Sequence, residues 1–250
     1  MAVSFDHSWL PTSLKGPREA LQAMFPQALP ASLLDLGCGN GAWCRAALEF
    51  GISDVLGVDG GEVKSGQLLF PPVSFRSQLL SEPFFLDRKF DAALCLEVGE
   101  HLDQADAKTL IANLVRHADL IYFSAACPGQ PGQFHLNCQW PGYWQELFNQ
   151  AGYACDDAIR WSLWNVSVLE FYYRQNMFLA RRDKHLAGHE PRIQPVIHPE
   201  MMNFLETLKT GDKRSRWLRQ VEEGSQTVGW YLSVPAKAFG HKLNRKLSAR

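Results

Sequence analysis

The chain has 250 residues, 46% of them hydrophobic and 20% charged, with a formal net charge of −1. This composition allows a full hydrophobic core and argues against a general nucleic-acid-binding protein. The six cysteines form no CxxC pair, so we expect reduced thiols. The N-terminus lacks the basic and apolar regions of a signal peptide, and no apolar run reaches about 18 residues. We therefore expect a cytoplasmic protein without a transmembrane segment.

Strand and helix patterns alternate from about residue 30 to residue 182, which predicts a mostly parallel sheet covered by helices. The predicted strands share short apolar runs and are residues 33–36, 54–59, 73–80, 90–97, 120–124 and 177–180. The predicted helices share apolar residues at helical spacing and cover residues 43–50, 105–117 and 144–151.

The pattern changes after the charged run that ends at Lys184. Residues 185–198 are rich in Pro, Gly and His and are predicted to be irregular, whereas residues 199–226 and 235–250 are predicted to be helical. We therefore divide the chain into a domain of residues 1–183 and a basic, mostly helical C-terminal extension of residues 184–250. The extension is compatible with a solvated helical face, with a lid or dimer contact, and with a patch for a phosphate-bearing acceptor or a membrane surface.

The first predicted strand contains Asp35 and leads directly into three alternating glycines, Gly37, Gly39 and Gly41. Such a run predicts a buried parallel strand that ends in a tight turn and opens a helix. Glycine permits positive φ angles and close approach of a ligand, and a helix N-terminus attracts anionic groups. The turn is therefore predicted to bind a nucleotide-like cofactor.

Two cofactor classes are compatible with the glycine spacing. Gly37-x-Gly39-x-x-Ala42 satisfies the dinucleotide fingerprint, and Asp59 follows at the distance expected of a ribose-binding acid. Asp35 weighs against NAD, because the residues before a dinucleotide-binding turn are normally apolar. A second acidic cluster at the end of the fourth predicted strand weighs against NAD as well.

Asp35, the GxGxG turn and Asp59 together resemble the class I S-adenosylmethionine-dependent methyltransferases over roughly residues 30–182. The resemblance implies a Rossmann-like α/β fold, with a mostly parallel seven-stranded sheet and helices on both faces. It implies that the three glycines line the methionine and ribose, that Asp35 lies near the cofactor ammonium, and that Asp59 binds the ribose hydroxyls. The other cofactor contacts that it implies are Cys38, Gly60, Gln78, Leu79, Leu96 and Glu97. The chain departs from many relatives at Gln78, where they have an acid, and at Gly60, where they have an apolar side chain.

Two histidines follow the predicted strands that end near this crevice. His101 closes the segment Glu97-Val98-Gly99-Glu100-His101, and His135 follows a turn-rich loop after the fifth strand. Methyl transfer to a hydroxyl requires a held acceptor and a base, and histidine is the natural base at neutral pH. We expect His135 to act as the base or to orient the acceptor, with Glu100 and His101 in support.

The EVGEH segment, the HxNxQW segment after the loop and the later YxQN segment are similar to a bacterial methyltransferase subfamily associated with glycan and polysaccharide pathways. The resemblance implies a small-molecule or glycan acceptor. Three residues of the HxNxQW segment are predicted to contact that acceptor, namely Asn137, Gln139 and Trp140.

The ExxEH pattern is also similar to ubiquinone-pathway O-methyltransferases and to methyltransferases that act on the terminal 2′-OH of small RNAs. That resemblance implies a divalent cation, Mg²⁺ or Mn²⁺, held by Glu97, Glu100, His101 and His135, which would orient the acceptor hydroxyl. The same pattern occurs in many relatives that need no metal.

The sequence thus predicts S-adenosylmethionine-dependent O-methylation of a sugar, glycan or related metabolite. The open alternatives are a metal-dependent RNA-terminal 2′-O-methyltransferase, a non-catalytic cofactor-binding subunit and an NAD enzyme.

Overall fold

The structure, a computed structural model, describes residues 12–60, 63 and 65–208. The chain divides into one compact unit that ends at His198 and a second that begins at Pro199. Within the second unit, residues 199–208 are helical. The predicted basic tail, with Lys213, Arg214, Arg216 and Arg219, lies outside the described residues, as does the predicted helix over residues 235–250.

The first unit contains seven strands, β1 (Ser32–Leu36), β2 (Asp54–Asp59), β3 (Phe75–Ser77), β4 (Ala92–Leu96), β5 (Leu120–Ser124), β6 (Tyr153–Asp156) and β7 (Phe178–Arg182). Its helices are α1 (Lys15–Met24), α2 (Ala42–Phe50), α3 (Ala107–His117), α4 (Pro141–Gln150), α5 (Ala158–Leu163) and α6 (Phe171–Asn176). The strand order is β3-β2-β1-β4-β5-β7-β6, and β7 runs antiparallel to both of its neighbours. The predicted mostly parallel seven-stranded sheet is confirmed.

Alternate residues of each central strand point to opposite faces of the sheet, and each face is buried. Leu34 and Leu36 pack in the same core cluster as α3 and α4 side chains such as Leu110 and Phe148. Leu33 instead packs in a second cluster with residues of α1, α2 and α5. Helices therefore cover both faces, as expected for strands that are apolar along their whole length.

Several elements differ from the prediction. The third strand covers Phe75–Ser77 rather than the predicted residues 73–80. The strand β6 and the helices α1, α5 and α6 were not predicted. Among the described residues, no helix is long and apolar enough to cross a membrane. All six cysteines are thiols outside any disulfide, and five of them are buried.

The segment after β7 is irregular, as predicted for residues 185–198, yet it is anchored to the first unit. Glu190 Oε1 accepts hydrogen bonds from Gln145 Nε2 at 3.0 Å and from the Cys155 amide at 3.1 Å. The amide of His198 donates to Gln175 Oε1 at 2.7 Å. This unit consequently extends to His198 rather than to Asp183, where the sequence analysis placed the domain boundary.

The sheet order reverses between β1 and β4, because β2 and β3 lie on one side of β1 and β5 lies beyond β4. In doubly wound sheets, ligands bind at the carboxyl ends of the strands at such a switch point. The acidic ends of β1, β2 and β4 that the sequence analysis singled out therefore meet at one edge of the sheet.

Candidate active site

A cavity of about 520 Å³ opens at this edge of the sheet. The turn after β1, the ends of β2 and β4, the loop of residues 130–135 and the first turn of α6 all contribute to its wall. This volume lies in the range of sites that enclose a small molecule.

Two glycines of the turn stand at positions where the side chain of any other residue would collide with a neighbouring side chain. Gly37 has a φ of +85°, and a Cβ there would collide with the side chain of Val98. Gly41 has a φ of +78° directly before α2, and a Cβ there would collide with the ring of Phe70. Gly37 and Gly39 line the cavity as predicted, whereas Gly41 does not.

The two predicted cofactor-binding aspartates both line the cavity. Asp59 at the end of β2 accepts a hydrogen bond from the Gly39 amide at 2.8 Å on its Oδ2. Asp35 is buried, and its Oδ2 accepts a hydrogen bond from the Cys44 thiol at 3.4 Å. Burial raises the pKa of Asp35 to about 7, with a smaller contribution from the charge of Asp59.

Most of the other predicted cofactor contacts reach the same cavity, namely Cys38, Gly60, Leu79, Leu96 and Glu97. Gln78 is not part of the wall, because β3 ends at Ser77 and the Gln78 amide binds the carbonyl of Asp59 at 2.9 Å. The wall also contains residues that the sequence analysis did not assign to it, among them Ser13, Pro17, Trp43, Val98, Glu170, Tyr172 and Tyr173.

Glu100, His101 and His135 form one cluster against the cavity. A side-chain ligand atom from each lies within 4.8 Å of the others, and the two imidazole rings are 5.1 Å apart with an edge-to-face geometry. Glu100 is fully buried, and burial together with the nearby charge of Glu97 raises its pKa well above the usual range. Burial and the neighbouring His135 lower the pKa of His101 to about 4.

The imidazole of His135 has a defined tautomer. Its Nδ1 lies 3.0 Å from the carbonyl oxygen of Gln130, and because a carbonyl only accepts, Nδ1 carries the proton. Nε2 therefore keeps its lone pair. Burial lowers the pKa of His135, so the ring is neutral and Nε2 can accept a proton.

Glu97 lies beside this cluster, with its carboxyl hydrogen-bonded to that of Glu100, and two amide side chains hold it there. Gln130 Nε2 donates to its Oε2 at 2.7 Å, and Asn176 Nδ2 donates to its Oε1 at 3.1 Å. Of the four predicted metal ligands, Glu100, His101 and His135 offer ligand atoms within 4.8 Å of one another, whereas Glu97 adjoins this group through Glu100.

The predicted acceptor contacts Asn137, Gln139 and Trp140 do not line the cavity. The chain turns away after His135, because the amides of Leu136 and Asn137 both donate to the carbonyl of Glu100, at 2.7 and 3.0 Å. Gln139 Nε2 then donates to Asn137 Oδ1 at 3.0 Å, and Trp140 immediately precedes α4. Adjacency to His135 in sequence was a poor guide, and this segment anchors the loop to the Gly99–His101 turn.

A family model described as a methyltransferase domain matches residues 10–169. The fold is similar to that of the sugar N-methyltransferase KedS8 from Streptoalloteichus, with a TM-score of 0.55 and 15% identity over 73% of this chain and 95% of that one. A magnesium protoporphyrin IX methyltransferase from Synechocystis gives a TM-score of 0.47 and 17% identity over 67% of this chain and 84% of that one. DesVI from Streptomyces venezuelae gives a TM-score of 0.49 and 14% identity over 67% of this chain and 91% of that one. No curated protein matches the sequence significantly.

Proposed function

The chain belongs to the methyltransferase domain family, and on that premise we propose that it methylates a hydroxyl group of a sugar or glycan with S-adenosylmethionine as the methyl donor. The single observation that carries the proposal is the neutral His135, a residue of the same cavity wall as the glycine turn. When bound, S-adenosylmethionine supplies an electrophilic methyl group on a sulfonium. Nε2 of His135 would take the proton of the acceptor hydroxyl, whose oxygen would bond to that methyl carbon as the carbon–sulfur bond broke.

The residues around the glycine turn fit this donor. Gly37 and Gly39 line the cavity without side chains, so a ligand can approach the backbone there, and the N-terminus of α2 favours its carboxylate. Asp59 would accept hydrogen bonds from ribose hydroxyls, and Asp35 would lie near the ammonium and sulfonium charges. A positive charge beside Asp35 would favour the ionised carboxylate that burial disfavours.

The side chains around the cavity as a whole favour a sugar rather than a phosphate-bearing chain as acceptor. Aromatic side chains that can pack on a sugar ring line it, namely Trp43, Phe134, Tyr172 and Tyr173. Five acidic residues line it too, namely Asp35, Asp59, Glu97, Glu100 and Glu170, whereas no lysine or arginine does so within the part of the chain that the structure describes. RNA binding relies on cationic contacts to phosphates, so an RNA terminus is the less favoured acceptor.

A metal-assisted form of the same reaction is the second candidate, and the cluster of Glu100, His101 and His135 favours it. A carboxylate and two imidazoles are suitable donors for a divalent cation, and the carboxyl of Glu100 is buried beside a second acid that raises its pKa. A bound cation would supply Lewis-acid activation of the acceptor hydroxyl. His135 would then be a ligand rather than the base.

Transfer of a labelled methyl group from S-adenosylmethionine to a panel of mono- and oligosaccharides tests the proposal. We expect His135→Ala to abolish transfer while cofactor binding by calorimetry stays unchanged, and His185→Ala, at an exposed histidine, to behave as wild type. Retained transfer in His135→Ala would reject the base assignment. Activity lost with a chelator and restored by Mg²⁺ or Mn²⁺ would favour the metal-assisted form.

A further inference from the structure

Three side chains beneath the cavity form a closed ring of hydrogen bonds. Gln130 Nε2 donates to Glu97 Oε2 at 2.7 Å, and Asn176 Nδ2 donates both to Glu97 Oε1 at 3.1 Å and to Gln130 Oε1 at 2.9 Å. Gln130 and Asn176 are buried. Each member of the ring therefore fixes the other two.

The ring closes on a residue with a strained backbone. Glu97 has a φ of +56°, a conformation that is unfavourable for a non-glycine residue and persists only where the surroundings enforce it. Its amide donates to the Ser124 carbonyl at 2.9 Å, with the Ser124 hydroxyl 3.1 Å away. Strained backbone conformations are common at functional sites, and here the strained residue carries a carboxylate of the cavity wall.

Gln130 connects this ring to the proposed base. Its side chain belongs to the ring, and its backbone carbonyl accepts the Nδ1 proton of His135 at 3.0 Å. The Gln130 amide is bound in turn by the Cys127 carbonyl at 3.1 Å. The hydrogen bonds of the Gln130 side chain therefore restrain the residue whose carbonyl selects the His135 tautomer.

Asn176 fixes the ring from the opposite side, at the end of α6. Its Oδ1 accepts a hydrogen bond from Gln175 Nε2 at 3.0 Å, and the same Gln175 nitrogen lies 3.1 Å from Cys127 Sγ. Gln175 thus reaches the base of the loop that carries Gln130. The two polar residues of the YxQN segment thereby acquire a role that the sequence analysis did not assign.

We infer that Gln130 and Asn176 are positioning residues, which hold the Glu97 carboxylate and keep His135 in the tautomer with an unprotonated Nε2. The inference rests on the proposed function in one respect, namely that His135 is the base. A neutral imidazole protonated at Nε2 cannot take the acceptor proton through that atom. Loss of the ring should therefore lower kcat by roughly 10–100-fold with little change in cofactor affinity, the range typical of residues that orient a functional group.

Nitrogen NMR of protein labelled at histidine tests the inference without any acceptor. The His135 signals are identified by their loss in His135→Ala, and their shifts report which ring nitrogen is protonated. We expect the Nδ1-protonated form alone in wild type and in Gln150→Ala, which removes an exposed glutamine in α4. We expect a mixture of both tautomers in Gln130→Ala and Asn176→Ala.

Wild-type tautomer signals in both folded variants would overturn the inference. If either alanine variant fails to fold, Asn176→Asp and its combination with Glu97→Gln replace it. Asn176→Asp places two carboxylates together and should disturb the tautomer, whereas the combination exchanges donor and acceptor and should restore it. No restoration would count against the inference. A disturbed tautomer with unchanged methyl transfer would instead reject His135 as the base, so the two failures are distinguishable.

Discussion

The amide of Gly39 donates a 2.8 Å hydrogen bond to Oδ2 of Asp59, so the turn after β1 is tied directly to the end of β2. This bond leaves Asp59 with acceptor capacity for a ribose, because an ionised carboxylate has about four lone-pair directions. It also holds the glycine turn in the shape that admits a ligand.

Asp59→Ala removes both functions of this carboxylate. We expect the Kd for S-adenosylmethionine to rise by roughly 10–150-fold, the equivalent of about 1.5–3 kcal/mol for hydrogen bonds to a charged group. Isothermal calorimetry measures this directly. Asp59→Asn is the matched control, because its amide oxygen can still accept the Gly39 amide proton, and its loss should be smaller. An unchanged Kd in Asp59→Ala would contradict the assignment of the ribose site.

Cofactor affinity should depend on pH through Asp35, whose pKa burial raises to about 7. The carboxyl is protonated below that pH and charged above it, and only the charged form attracts an ammonium or sulfonium. We therefore expect binding to tighten as the pH rises from about 6 to about 8, and Asp35→Asn to abolish this dependence. Calorimetry across this range is the measurement, and an identical pH profile in the variant would exclude Asp35 as its origin.

The same raised pKa predicts the stability of the ligand-free protein. The folded state binds the Asp35 proton more tightly than the unfolded state, so the free energy of unfolding falls as the pH rises from the unfolded pKa toward about 7. Asp35→Asn removes this penalty. It should raise Tm relative to wild type more at about pH 8 than at about pH 5, as followed by thermal unfolding without cofactor.

Gly132 lies against the ring of His135, and a Cβ there would collide with Nε2 and Cε1. Gly132→Ala should displace the imidazole and lower methyl transfer by about 100-fold, because misplacing a reacting group by about 1 Å has this effect. Cofactor Kd should stay unchanged. Gly66→Ala is the control, since a Cβ there meets no atom within 4 Å. Equal rates in both variants would show that His135 does not take part in the transfer.

Gly99 in the turn that carries Glu100 and His101 packs directly on the Trp144 ring, which is buried against Phe123. A Cβ at Gly99 would collide with that ring. Gly99→Ala should therefore lower the free energy of unfolding by about 1–3 kcal/mol, the usual effect of overpacking a core. Denaturant unfolding measures the change, and a stability equal to wild type would mean that the turn can shift.

Local patterns predicted the part of the fold whose residues repeat at helix or strand spacing. Asp35 and Asp59 were found because each lies near the end of a buried strand, and parallel strands bring such ends to one edge. Strand β6 was missed because Tyr153–Asp156 is only four residues long. Helix α1 was missed because it begins without a side-chain cap and contains Gly16 and Pro17 in its first turn.

Part of the cavity wall could not be predicted from the sequence, for a different reason. Tyr172 and Glu170 reach the cavity because α6 packs beside strands that are far away in sequence, and no local pattern encodes that contact. Trp140 was predicted to contact the acceptor, yet it does not line the cavity, whereas Trp43 does. Hydrogen bonds to the Glu100 carbonyl redirect the chain after His135, and such long-range bonds leave no trace in sequence spacing.

Strand β7 is the last strand of the sheet to leave the ribosome, yet it lies between β5 and β6. Until it emerges, β6 has no pairing partner in the sheet, and α6, which supplies Tyr172 and Asn176, is completed only just before β7. The glycine turn is synthesised early, whereas the part of the cavity wall that α6 supplies is synthesised late. A partly synthesised chain therefore has a place for the methyl donor before it has a finished chamber in which to use it.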